Sequence, residues 1–195
     1  MTQPAQRPSR GRPRIADPAS YIAVAFDILG RDGFRELSIA TVVSRLSVTK
    51  GSFYHHFKNW DDFVWRLLAR WEQEQTDRII DLTVQAPDPV ERLHVLKRHS
   101  AEIPHAIEGA LRAWGQSNPI VESAMKRIDE RRHAFVSRVC GEYVGDAARG
   151  ELFATAVMTM TIGLQSMSRN ASAEDFFELY TVADTAMDVE RGVYG

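Results

Sequence analysis

The 195-residue chain is predicted to be all-α, a three-helix head followed by a body of roughly six helices. Three observations predict it. Apolar residues recur three and four apart along most of the length, the period of a helix with one buried face. Asp-Pro, Asn-Pro and Ser or Thr cap signals punctuate that pattern. No stretch alternates apolar and polar residues convincingly as a strand does, and no internal repeat or low-complexity block stands out.

Residues 1–16 hold little apolar content and three prolines, the composition of a disordered arm, here a basic one. Asp17 and Pro18 supply an N-cap and first-turn proline for a helix carrying Ile22, Ala25, Phe26 and Leu29, with Gly30 or Gly33 to stop it. Ser38 caps a short second helix whose apolar face is Ile39, Val42, Val43 and Leu46. After a turn at Ser47 and Val48, Thr49 caps a third, with Phe53 and Phe57 as its buried edge. The head is therefore residues 17–58 and the body residues 59–195.

From Trp60 to about Leu82 the pattern stays helical, with Phe63, Val64, Leu67, Leu68, Trp71 and Ile79 inward. APDP at 86–89 breaks it, and Asp88-Pro89 opens a helix with Val90, Leu93 and Leu96 on its apolar face. Pro104 opens the next, with Ile107, Ala110, Leu111 and Trp114 on one side. SNP at 117–119 starts a helix burying Val121, Met125, Ile128, Phe135 and Val139. Asp146 begins the penultimate helix, about 147–168, and Ser172, with Asp175 three residues on, begins the last.

The bulk properties exclude several classes. One cysteine, Cys140, cannot close an internal disulfide, so a reducing cytoplasm is the expected compartment. The N-terminal stretch lacks the apolar run of a signal peptide, and no apolar stretch is long enough to span a bilayer. The formal net charge of −2 is unevenly spread. Residues 1–58 carry nine Lys/Arg against four Asp/Glu, and the remainder fifteen against twenty-two. A basic head on an acidic body suits a head that alone approaches a polyanion.

The stretch TKGSFYHHFKNW, residues 49–60, shows how it would do so. Advancing about 100° per residue from Thr49 sends Phe53 and Phe57 to the core, leaves Gly51, Ser52 and His55 on the opposite face, and sets Tyr54 and His56 on the flanks. His55 and His56 thus diverge, and no i, i+3 or i, i+4 partner, HEXXH or CxxC accompanies them, so no metal is expected. An exposed face of small and polar residues at a basic helix start suits the major groove of DNA. Gly51 and Ser52 permit close approach, His55 reaches base edges, and Tyr54, His56 and Lys58 meet phosphates. Thr49 and Lys50, at the helix N-terminus, favour a phosphate, and Ser38 at the start of the preceding helix is placed with them. Two short helices joined by a tight turn, the second so exposed, form a helix-turn-helix. The basic arm RGRPR, with Arg10, Arg12 and Arg14, fits either a hook in an A·T-rich minor groove or a solvated tail.

The stretch LSIATVVSRLSVTKGSFYHHFKNWDDFVWRLL resembles the DNA-binding segment of TetR-family transcriptional regulators, most closely through Val48, Thr49, Gly51, Ser52, Phe53, Tyr54 and Phe57. More loosely, ALRAWGQSNPIVESAMKRIDERR is similar to a segment common in the ligand-binding half of that family. Two positions depart: Leu46-Ser47 stands where many members have Ala-Gly, and Trp60 where many have Lys, leaving Lys58 to supply that phosphate contact.

The resemblance implies a homodimer on a palindromic double-stranded DNA operator, with a cavity for an unidentified small-molecule effector in each body. The function it implies is a ligand-responsive regulator, most simply a repressor released from its operator; an activator or an effector-independent DNA-binding protein are the alternatives. The last two helices, rich in small side chains at LFATAVMTMTIGL and carrying Phe176, Phe177, Tyr180, Ala183 and Met187, are assigned to the dimer bundle, though they could also complete the monomer core. Trp65, Trp71, Trp114, Met125 and Phe135 lie on helices that line the cavity in the family, and each suits plain core as well. His94, His99, His105 and His133 share no metal face and read as surface or capping groups. With no phosphate loop, nucleophile motif or acid–base cluster, an enzyme is not expected, and no cofactor or membrane partner is implied.

Overall fold

A computed structural model describes residues 16–168 and 170–192, all helix and loop. The head comprises α1 (Pro18–Arg31), a 3-10 turn (Phe34–Glu36), α2 (Ile39–Arg45) and α3 (Lys50–His56). The expected caps form as local hydrogen bonds. The Asp17 carboxylate accepts from the Ser20 amide at 2.7 Å, the Ser38 hydroxyl from Thr41 at 3.1 Å and the Thr49 hydroxyl from Ser52 at 3.3 Å. Gly30 lies inside α1; the turn that ends it is made at Gly33, whose φ of 86° suits glycine. Ser47, in the turn between α2 and α3, takes a left-handed φ of 54°. The Arg45 guanidinium spans Asp27 at 2.8 Å and Asp32 at 2.5 Å, tying α2 back to α1.

The body begins without a break. α4 (Trp60–Glu72) passes through a π-helical turn (Gln73–Asp77) into α5 (Arg78–Val84), and α6 (Pro89–Ala101), α7 (His105–Gly115), α8 (Pro119–Val144), α9 (Ala147–Met167) and α10 (Ala173–Glu190) follow. Asp88, Asn118, Asp146 and Ser172 cap α6, α8, α9 and α10 as expected, the last through a capping box with Asp175. Val90 departs from its expected inward position and is exposed, because it sits in the first turn of α6, beyond the reach of the neighbouring helices.

Head and body share one core. Tyr21, Ile28, Phe53 and Phe57 from the head pack in the same cluster as Phe63, Leu67, Leu111 and Ile128 from the body. Ala16, the last residue assigned to the arm, packs against it as well. Trp60 is half-buried between the Phe63 ring (5.2 Å between centroids) and Trp114 on α7 (6.4 Å). It fills the position at which the sequence departs from the phosphate-binding lysine of the resembling segment. A second cluster joins α5, α6, α8, α9 and α10 through Leu93, Leu96, Phe135, Val139, Phe153 and Met187.

α8 and α9 cross at closest approach where Gly150 meets Gly141. A Cβ on Gly150 would lie 2.4 Å from the Gly141 amide nitrogen and 2.5 Å from the Ser137 carbonyl oxygen, both unyielding backbone. Gly150→Ala is therefore expected to destabilise by at least about 2 kcal/mol, as overpacking against backbone does. Ser47→Gly should instead stabilise by about 0.5–1 kcal/mol, since glycine relieves the left-handed strain at some entropic cost. Urea unfolding midpoints of the two variants against the parent check both signs.

Candidate nucleic-acid interface and ligand cavity

α3 is held by its two phenylalanines. Phe53 and Phe57 are buried, pack with tilted rings 4.9 Å apart, and meet Tyr21 of α1 edge-on at 5.9 and 5.6 Å. Thr49, Lys50, Gly51, Tyr54, His55 and Lys58 are left in solvent. The Lys58 amide donates to the Asp62 carboxylate, and Asn59 caps α4, so the chain leaves α3 in a fixed direction. Two side chains assigned to the DNA face turn otherwise. Ser52 is half-buried and its hydroxyl accepts a 2.7 Å hydrogen bond from the Tyr21 phenol. His56 is also half-buried, its ring 5.8 Å from that of Tyr21 and its Nε2 enclosed. Both lie on the flank of α3 that packs on α1, whereas the 100° projection set Ser52 on the open face and gave the flank of His56 to a phosphate. Ser38 is engaged as a cap. Arg10, Arg12 and Arg14 lie outside the described residues.

The body holds a cavity of about 100 Å³ between α5–α10 and the π turn. Of the five aromatic and sulfur side chains expected there, Phe135 alone lines it. Trp65 projects into solvent at 48% exposure, on the side of α4 opposite the core. Trp71, Trp114 and Met125 are buried in the core shared with the head, because their faces of α4, α7 and α8 meet α1 and one another. His105, expected at the surface, is buried and stacks face-to-face on Phe176, with centroids 3.4 Å apart.

The polar end of the cavity centres on Glu108 of α7, which is 1% exposed. Arg132 of α8 donates from one terminal nitrogen to both Glu108 oxygens at 2.8 Å, from Nε to the Thr76 hydroxyl at 2.9 Å and from the other terminal nitrogen to the Gln75 carbonyl at 3.1 Å. Arg112 donates to Glu108 at 2.9 Å, to Asp129 at 2.6 and 2.8 Å and to the Gln165 amide oxygen at 3.0 Å. That last bond fixes the orientation of Gln165, so its NH2 donates to His105 Nδ1 at 2.9 Å. His105 Nε2–H then donates to the Ser100 carbonyl at 3.1 Å, which requires the neutral ring. Burial drives the His105 pKa down to about 4. For Glu108 burial opposes ionisation, but the two guanidiniums outweigh it and hold the pKa at about 2.

These residues escaped notice in the sequence because Glu108 and Arg112, four apart on a helix, look like a solvated pair, and Arg132 ends an ordinary charged run, DERR. A salient signal was present, since Arg112, Asp129 and Arg132 all fall in the segment similar to the family's ligand-binding half. Among the described residues no group of three or more His, Cys, Asp or Glu is arranged to hold a metal, and no helix is long and apolar enough to cross a membrane.

The pKa shifts of His105 and Glu108 share a sign. Both groups bind protons less readily folded than unfolded, so stability is expected to fall with pH, from about 6.5 towards 4 through His105 and from about 4.5 towards 2 through Glu108. His105→Gln should flatten the upper part of that profile alone. Urea midpoints measured between pH 7 and 4 check this, and parallel profiles for parent and variant would contradict it.

The family model for bacterial regulatory proteins of the tetR family matches residues 22–66, from α1 into α4. The transcriptional regulator AcuR of Cereibacter sphaeroides is 35% identical over 72 residues, 34% of this chain and 33% of that protein, so the match spans about a third of the relative's length. A transcriptional regulator from Rhodococcus sp. Rha1 superposes with a TM-score of 0.73 at 16% identity, covering 89% of this chain and 96% of that one. A TetR regulator from Haloarcula marismortui gives 0.73 at 15%, covering 88% and 96%. A putative regulator from Saccharomonospora viridis in complex with choline gives 0.70 at 15%, covering 86% and 95%. These relatives are transcriptional regulators rather than enzymes. Residues 22–66, which include the helix-turn-helix of α2 and α3, thus match the tetR family of bacterial regulatory proteins, and the chain as a whole shares the fold of solved transcriptional regulators.

Proposed function

We propose that the protein is a ligand-responsive repressor, a cytoplasmic homodimer that leaves a palindromic operator when an effector enters the body cavity. The observation that carries this is the two-sided character of α7. One side presents His105, Glu108 and Arg112 to the cavity. The other presents Ile107, Leu111 and Trp114 to the head, with Ile107 so close to Gly30 of α1 that a Cβ there would lie 3.2 Å from it. A ligand that repositions α7 must therefore disturb the seat of α1, against which α3 packs. A neighbour of the same fold forms a complex with choline, which supports a small-molecule effector for this chain as well. Exposed apolar side chains on α9 and α10, Leu152, Met167, Phe177, Val182 and Val189, support a dimer through these helices. Two heads then address two half-sites, reading bases through His55 and gripping phosphates through Thr49, Lys50, Tyr54 and Lys58. The head at 17–58 and the body at 59–195 are functional rather than packing units, given their common core.

In binding isotherms on duplexes selected from random-sequence DNA and on scrambled controls, His55→Ala is expected to cost on the order of 1–3 kcal/mol on the selected duplex and much less on the scrambled one. Lys58→Ala should weaken both alike, since phosphates are common to every sequence. Equal losses for His55→Ala on both duplexes would make it a backbone contact. Arg132→Met tests the link to the body. It leaves the DNA face intact, yet operator affinity should change about 5–150-fold, the usual range of coupling between sites. Unchanged affinity in a folded variant would separate cavity from head.

A further inference from the structure

The cavity is electrically balanced. Three cations and three carboxylates stand on or just behind its wall: Lys97, Arg112 and Arg132 against Glu108, Asp129 and Asp184. Each is in an ion pair with a member of the other set, and His105 makes hydrogen bonds that only the neutral ring permits. The rest of the lining is uncharged: aliphatic, aromatic, sulfur-bearing or hydroxyl, as at Leu96, Val136, Met158, Cys140 and Tyr180, with the amides of Gln75 and Gln165. An added net charge would enter a low-dielectric site with every counter-charge already committed, and displacing one would leave a buried ion unpaired.

The two polar ends differ in what they have left to offer. At the Glu108 end, Nε and both terminal nitrogens of Arg112 and Arg132 already donate, and Gln165 is used at both its oxygen and its nitrogen. At the other end the Lys97 ammonium, with three protons, meets one Asp184 oxygen at 2.6 Å and the face of Phe177 at 4.2 Å. The Tyr180 phenol has a long 3.3 Å contact with the Thr161 hydroxyl. Spare capacity to donate and accept therefore lies between α6, α9 and α10, beside Lys97 and Asp184.

On the reading of the cavity as an effector site, we infer that the effector carries no net charge: a largely apolar molecule with one hydroxyl or carbonyl group, which meets the Lys97–Asp184 pair. Calorimetric titration of the full-length protein with hexan-1-ol, hexanoate and hexylammonium, one carbon chain with three end groups, tests this. The alcohol is expected to bind at least tenfold more tightly than either ion. Asp184→Asn leaves one cation unmatched and should move the preference tenfold or more towards hexanoate. An ion that binds as tightly as the alcohol, or no binding by any of the three, overturns the inference. Should Asp184→Asn fail to fold by circular dichroism, the ranking on the parent protein decides alone. Operator release, followed in parallel by fluorescence anisotropy, separates the two claims. Tight alcohol binding without release upholds the ligand class and defeats the repressor reading. Release by an ion that outbinds the alcohol does the reverse.

Discussion

The interior of the body is organised by the need to keep one carboxylate ionised out of water. Burying an ion of this size costs several kcal/mol, so Glu108 is tenable only because Arg112 and Arg132 converge on it. Each arginine must in turn satisfy its remaining donors, and does so on other helices. Arg112 reaches Asp129 of α8 and Gln165 of α9, and Arg132 reaches Thr76 and Gln75 of the π turn. One buried charge thus fixes α7, α8, α9 and the helix leaving the head around a common point. Removing a single partner from such a cluster costs about 3–5 kcal/mol, a large fraction of a domain's stability.

The π turn gains meaning from that cluster. Single π turns inside long helices often mark functional sites, and this one lies on the helix that runs from Trp60 into the body. Arginines of α8 grip the turn and the end of α4 before it: Arg127 and Arg131 on Glu72, Arg131 on Asp77, Arg132 on Gln75 and Thr76. The Arg127 hydrogen bond holds the Glu72 carboxyl below its usual range. Toward the head, Trp60 lies between Phe63 and Trp114, and Ile107 presses on Gly30. The proposed coupling needs no flexible linker, because close packing connects Glu108 to the aromatic cluster under α3.

Local interactions were legible in the sequence. Asp17, Ser38, Thr49, Asp88, Asn118, Asp146 and Ser172 all cap the helices they were expected to cap, because a cap acts over two or three residues. The buried edge of α3 was legible for the same reason, Phe53 and Phe57 being one turn apart. Which flank of α3 meets α1 was not. It depends on a phenol 31 residues away, and it draws Ser52 inward. The cavity was the least legible part. A rule that large apolar residues mark it picks Trp71, Trp114 and Met125, which are core, and passes over a Glu–Arg pair that resembles a surface pair until α8 and α9 close over it. Trp60 was legible as a departure from the family pattern, though its bridging role is a tertiary fact.

The proposed coupling requires the Glu108 cluster and α3 to belong to one mechanical unit. Amide hydrogen exchange, measured segment by segment on the parent protein and on Arg132→Met, tests it most directly. Faster exchange is expected in α1 and α3 of the variant as well as around the cavity, since loosening α7 reaches the head through Ile107 and Trp114. Faster exchange confined to the helices around the cavity, with α1 and α3 unchanged, would contradict it.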